Sequence, residues 1–198
     1  FQLIKSLIIN YQQVKPLAIS LATGLAFLTW YGLSLPRPLF KVSISQVVED
    51  ARGELLSARI AADGQWRFPA PDSIPVVYRE ALIEFEDRHF YHHQGVDPLA
   101  LLRAIFQNLK RGSIVSGGST ISMQVIRMAR GNRSRSISQK IIEAILATRL
   151  EFGYSKKQVL NLYATNAPFG GNVVGLEAAS WRYFGKSPAF LSWAEGAL

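Results

Sequence analysis

The stretch Glu80–Arg103, EALIEFEDRHFYHHQGVDPLALLR, decides how the rest of this chain is read. It holds an acidic pair (Glu86, Asp87), three histidines (His89, His92, His93), two aromatic residues (Phe90, Tyr91) and a glycine stop at Gly95. The residues before it predict a helix: Ser73 is placed to cap it, Pro75 fits its first turn, and Tyr78, Ala81, Leu82 and Phe85 repeat on one face. A second helix is expected after it, with Asp97 as N-cap, Pro98 first, and Leu99, Leu102, Ile105, Phe106 and Leu109 as the apolar stripe. Glu86 therefore stands where a buried helix runs out into a polar turn. A carboxylate partly desolvated there gains basicity, which suits a general base. An ordinary helix end, with Glu86 solvated or paired to Arg88, explains the same residues.

The chain carries a net charge of +8 and no cysteine, which excludes a disulfide scaffold and thiolate chemistry. It begins with Phe1, and its last residues, WAEGAL, read as a helix cut short, so a piece of a longer polypeptide is expected. From Leu17 to Leu35 no residue is charged. As a helix this run spans about 28 Å, close to the hydrocarbon thickness of a bilayer. Trp30 and Tyr31 suit the interface, and Pro36 and Pro38 stop the run. A signal peptide or a core helix is the competing reading, but no small-x-small cleavage site precedes Pro36. Four segments follow: a juxtamembrane 1–16, a transmembrane anchor 17–35, a β-rich linker element 36–72 and a catalytic domain 73–198. The basic charge fits membrane lipids and a phosphorylated lipid better than nucleic acid, since no nucleic-acid-binding motif is present.

Between Val42 and Phe68, apolar runs are separated by Asp50-Ala51-Arg52-Gly53 and Asp63-Gly64, predicting a small antiparallel β element that spaces the catalytic part from the bilayer. Pro69–Asp72 links it to a helical body. The helix Ile137–Glu151 is expected to bury Ile141, Ile142, Ile145 and Leu146 and to present Lys140, Glu143 and Ala147 on another side. Ser155 and Gln158 form a capping-box pair for the next helix, and AASWRYFGK ends at Gly185.

Gly117-Gly118-Ser119-Thr120 precedes a helix whose polar side holds Gln124 and Arg127. Free amides, the helix dipole and two hydroxyls make such a turn an anion site, although a plain Ser/Thr cap reads the same. Lys140 and Glu143 are three residues apart, the spacing of a modest ion pair or of a cation beside a second acid. The histidines lack metal-ligand spacing and fit better as residues that orient the turn.

Four ordered motifs then coincide. EDRHFYHHQG (Glu86–Gly95) resembles E-D-x-x-F-x-x-H-x-G, and SGGSTISMQVIR (Ser116–Arg127) resembles G-G-S-T-[I/L]-[S/T]-x-Q-x-x-x-[R/K]. QKIIEAILA (Gln139–Ala147) resembles R-K-x-x-E-x-x-x-A, and KKQVLNLYATNAPFGG (Lys156–Gly171) is similar to K-x-x-I-L-x-x-Y-L-N-x-x-x-[F/Y]-G. These are the marks of the peptidoglycan glycosyltransferases, glycosyltransferase family 51, the N-terminal half of class A penicillin-binding proteins. Met123, the APFGG loop and AASWRYFGKSP are most similar to the 1C branch.

The resemblance implies a mainly α, lysozyme-like helical domain with a small β-hairpin element and an N-terminal transmembrane helix. It implies polymerisation of lipid II onto a nascent glycan strand with inversion, releasing undecaprenyl pyrophosphate. Glu86 would be the base and Glu143 the second acid. Gly118, Ser119, Thr120, Gln124, Arg127 and Lys140 would bind donor phosphates and sugars, while Asp87, Phe90 and His93 would shape the substrate cleft. No protein-built metal site is expected; a divalent cation, Mg or Mn, would sit on the donor pyrophosphate. The implied location is the bacterial inner membrane, single-pass, with the catalytic part outside the cytoplasm beside other cell-wall synthesis proteins. Gln139 stands where the family has Arg, Thr165 where it has Asn, and Met123 where Gln is common. No S-x-x-K or K-T-G occurs, so no transpeptidase centre lies within these residues. Two other readings stay open: a membrane-anchored lysozyme-like hydrolase, since paired carboxylates also cleave glycosides, and a weakly active lipid II-binding scaffold.

Overall fold

The computed structural model describes residues 2–71, 73–113, 117–132 and 136–197, without the side chains of residues 2–14 and of Leu17. Asp72 of the linker, Ser116 of the glycine-rich motif and residues 133–135 of the basic loop lie outside the described residues. The chain divides into two units between Pro36 and Arg37.

The first unit is one helix, α1 (Gln2–Leu33), with Pro16 inside it. Its described side chains, among them Leu21, Leu25, Phe27 and Leu28, are exposed. Among the described residues no helix is long and apolar enough to cross a membrane.

The second unit is mainly helical, with one two-stranded antiparallel sheet, β1 (Gln46–Glu49) and β2 (Leu55–Arg59). Asp50 makes the turn between them, accepting the amides of Arg52 and Glu54 through its carboxylate. The Asp63-Gly64 turn closes a separate loop, so the Trp66–Phe68 run does not become a third strand. Trp66 bridges instead to Val173 of the body. The expected spacer therefore packs: Val47, Leu55 and Ala58 lie on a cluster formed by Phe68, Val173, Ala178 and Ala179.

The helices run α2 (Val76–Glu86), α3 (Pro98–Arg111), α4 (Ile121–Ala129), α5 (Ile137–Gly153), α6 (Lys156–Asn166), α7 (Leu176–Phe184) and α8 (Trp193–Gly196), with a 3₁₀ turn at Phe90–His92. α4 packs on α5 and α6, and Ile121, Val125, Ile126, Leu150 and Val159 are fully buried there. The expected caps at Asp97, the Ser155–Gln158 box and the Gly185 stop are all present.

Four expectations fail for identifiable reasons. Ser73 does not cap α2; Pro75 holds the N-cap position without any side-chain bond. Phe85 is 88% exposed rather than buried. The stripe Leu99, Leu102, Ile105, Phe106 and Leu109 is exposed, and α3 buries only Ala104. On α5 the buried residues are Glu143, Leu146, Ala147 and Leu150, with Ile141 exposed, because Glu143 finds its counter-charge inside rather than in water.

Candidate active site

Glu86 is the last residue of α2, where the chain leaves the helix for the 3₁₀ turn. Its Oε2 accepts a hydrogen bond from Gln124 Nε2 at 2.6 Å, a contact across 38 residues of sequence. Arg88 does not pair with it, reaching back to Glu84 instead. Burial and then the charges of Tyr163 and Glu86 raise the Tyr78 phenol, and burial with the Glu86 charge pushes the Tyr163 phenol up to about 12. Both hydroxyls keep their protons at neutral pH beside the carboxylate. The sequence placed Tyr78 on the apolar face of α2 and Tyr163 inside the fourth motif, but gave neither a place beside Glu86; the Tyr of that motif was the signal that could have found Tyr163.

One helical turn along α4 from Gln124, Arg127 grips Glu143 of α5. Its Nε lies 3.2 Å from each carboxylate oxygen and its Nη2 2.8 Å from Oε2, a bidentate fork. Glu143 is only 4% exposed, so the paired cation is what makes its burial tolerable. The expected Lys140–Glu143 pair does not form. Among the described residues the Lys140 ammonium and the Ser119 hydroxyl have no hydrogen-bond or ion-pair partner. Glu86, Ser119, Gln124, Arg127, Lys140 and Glu143 all line one cleft of about 600 Å³.

The loop 117–120 forms the wall between this cleft and a second, polar hollow of about 430 Å³ that also takes in Glu86, Asp87, His89 and Arg103. Gly118 can lie there because it has no side chain: a Cβ would stand 2.8 Å from Leu101 Cα on α3. Thr120 is the N-cap of α4, accepting from Met123 N and donating to the Gly95 carbonyl at 2.6 Å. Its hydroxyl is thus committed to the fold, whereas that of Ser119, on the wall of the cleft, has no partner among the described residues.

Asp87 lines the second hollow rather than the cleft, and Phe90 and His93 line neither. Phe90 is fully buried. His93 Nε2 sits 3.0 and 3.1 Å from the two oxygens of Asp87, and Asp87 Oδ2 also accepts the Ile121 amide at 3.1 Å. The turn that bears Glu86 is thereby fastened to the helix that bears Gln124.

The sequence model of the family described as Transglycosylase matches residues 53–198, most of the chain. The chain belongs to the transglycosylase family. It is similar to penicillin-binding protein 1C of Escherichia coli strain K12, 41% identical over 185 residues that cover 92% of this chain and 24% of that protein. Penicillin-binding protein 1A of Aquifex aeolicus is 39% identical over 76% of this chain and 20% of its own length. The corresponding figures for penicillin-binding protein 1B of Haemophilus influenzae are 34%, 74% and 19%. The chain thus spans about a quarter or less of the length of these relatives.

In this chain the donor set for a divalent cation is thin. Among the described residues no group of three or more acids or histidines is placed to hold a metal ion, and both Glu143 oxygens face the Arg127 guanidinium. Among the described residues the side chains do not fit a metal held by the protein, and the positive charge lining the cleft comes from Arg127 and Lys140. Gln139, Thr165 and Met123 are the departures from the family pattern; Thr165 and its neighbour Asn166 spend their side chains on carbonyls of α6.

Proposed function

We propose that this chain polymerises lipid II into glycan strands. The observation that carries the reading is the convergence of Glu86, Glu143, Lys140, Arg127 and Ser119 on one cleft. Glu86 takes the proton from the 4-hydroxyl of the acceptor sugar as its oxygen attacks the donor's anomeric carbon. The new C–O bond forms as the bond to the diphosphate breaks, with inversion, and undecaprenyl pyrophosphate departs. Charge accumulates on that leaving group, and Lys140, Ser119 and Arg127 are placed to stabilise it. Glu143, bonded to the Nε and Nη2 of one guanidinium, holds Arg127 in place and leaves Nη1 for substrate. A hydrolase would have no diphosphate for these cations to meet, so the glycosidase reading gains nothing from them.

The membrane completes the reading. The uncharged run Leu17–Leu35 and the uncovered apolar side chains of α1 fit a single-pass anchor in the bacterial inner membrane, because a helix apolar on every side has no stable place in water. In the catalytic unit the exposed stripe of α3 borders an apolar groove of about 730 Å³, and Asn108, Ile137 and Lys140 line both that groove and the cleft. A diphosphate joined to a long hydrocarbon matches this sequence of surfaces.

The test is incubation of the whole chain with lipid II in detergent. Glycan polymer together with free undecaprenyl pyrophosphate supports the reading. Lipid II binding without product would support the scaffold instead, and reducing sugar released from finished strands would support the hydrolase.

A further inference from the structure

We infer that Lys156 is the positioning residue that holds Glu86 in register from beneath the cleft. The inference rests on the reading of Glu86 as the base. Lys156 opens α6 on the far side of the domain floor, and its side chain is 20% exposed. Its ammonium makes three contacts at once: Glu151 Oε2 at 2.7 Å, the His93 carbonyl at 2.7 Å, and the face of the buried Phe90 ring at 4.3 Å from its centroid. A cation so placed has given up most of its water and is held by its partners.

Two arms run from this ammonium, and both end on the same carboxylate. The first goes through the His93 carbonyl into the turn, where the His93 ring meets Asp87, and Asp87 is bonded in the chain to Glu86. The second goes through Glu151, whose Oε1 accepts the Ser122 hydroxyl of α4. Ser122 is fully buried, and two residues further along that helix Gln124 donates to Glu86 Oε2. The Asp87–Ile121 amide bond closes the loop between the arms. Lys156 touches no cleft-lining atom, so any effect it has on turnover passes through the placement of Glu86. Misplacement of a base by a fraction of an ångström slows the chemical step without weakening substrate binding.

Lys156→Met alone would strand the Glu151 carboxylate, so the test uses Lys156→Met with Glu151→Gln, and Ser122→Ala as a lighter cut of the second arm. The whole chain is assayed with lipid II, and exchange of the Ile121 amide proton is followed separately. The expected result is a kcat lower by about 100-fold in the double variant with KM nearly unchanged. Ser122→Ala should lower kcat in the same direction by less. Adding Gln124→Ala to the double variant should cost less than Gln124→Ala costs the wild type, because the link is already cut. The Ile121 amide should also lose protection. An unchanged kcat in both variants, a rise in KM alone, or an Ile121 amide protected as before would overturn the inference. Wild-type chain that fails to polymerise lipid II would sink the proposed function instead, while the amide exchange would still judge the role of Lys156.

Discussion

Helices α3 and α4 read alike in sequence and end in opposite surroundings. Each has apolar residues at helical spacing and a good N-cap, Asp97 on α3 and Thr120 on α4. α4 buries Ile121, Met123, Val125 and Ile126 among α5 and α6, while α3 leaves Leu99, Leu102, Phe106 and Leu109 uncovered and buries Ala104 alone. Periodicity reports that a helix has an apolar face; it does not report what covers that face. In α4 the cover is protein, which fixes Gln124 and Arg127 on the opposite side with the precision a catalytic cleft needs. In α3 an apolar stripe this long in the open marks a docking surface, and the proposed function assigns it to lipid.

The contrast can be broken most sharply in the core. Ile126→Ala should cost about 2–5 kcal/mol of stability, since a fully buried side chain leaves a cavity, and thermal unfolding in detergent measures it. A loss well under 1 kcal/mol would mean that α4 is not the rigid member of the pair.

The two caps give the next effect, about 1 kcal/mol each on truncation to Ala, and only one of them depends on pH. Burial raises the Asp97 carboxyl, but the amides of Ala100 and Leu99 and the His89 ring outweigh it and hold the group below its usual 3.8. Its contribution is therefore complete above pH 3.8 and is lost as pH falls through the lower folded value. The Asp97→Ala deficit should shrink on acidification, whereas the Thr120→Ala deficit should not, because a hydroxyl does not titrate there. Denaturant midpoints at several pH values decide between them.

The smallest effect on stability belongs to the uncovered stripe. Phe106→Ser should change unfolding in detergent by no more than about 0.5 kcal/mol. It should nevertheless lower lipid II turnover in vesicles relative to detergent. Equal turnover in both would remove lipid from the account of α3.

Much of the site was legible in the sequence, because motifs fix residue types and each type was chosen by chemistry. Glu86, Gln124, Arg127, Lys140 and Glu143 all stand in the sequence motifs, and the fold gathers them on one cleft. Pairing was not legible. Glu143 was expected beside Lys140, its neighbour three residues away, and it bonds to Arg127 from another helix, a choice made by packing of α4 on α5. Thr120 was expected at the ligand, yet its hydroxyl is spent on the Gly95 carbonyl. The β element was foreseen as a spacer and lies against Phe68 and Val173, because only tertiary contact reveals which face of a short strand is covered. Phe85 and the α3 stripe failed for one reason: helical spacing marks an apolar face but does not tell whether protein covers it.

The central claim is that Glu86 takes the acceptor's proton in a cleft that binds the substrate through other groups. Glu86→Gln keeps the side chain's shape and its contact with Gln124 within reach while removing the base. Polymerisation of lipid II by this variant, measured beside its binding of lipid II, should fall by a factor on the order of 10²–10⁴ with binding retained. Polymer formed at a rate within a few-fold of the wild type would contradict the account.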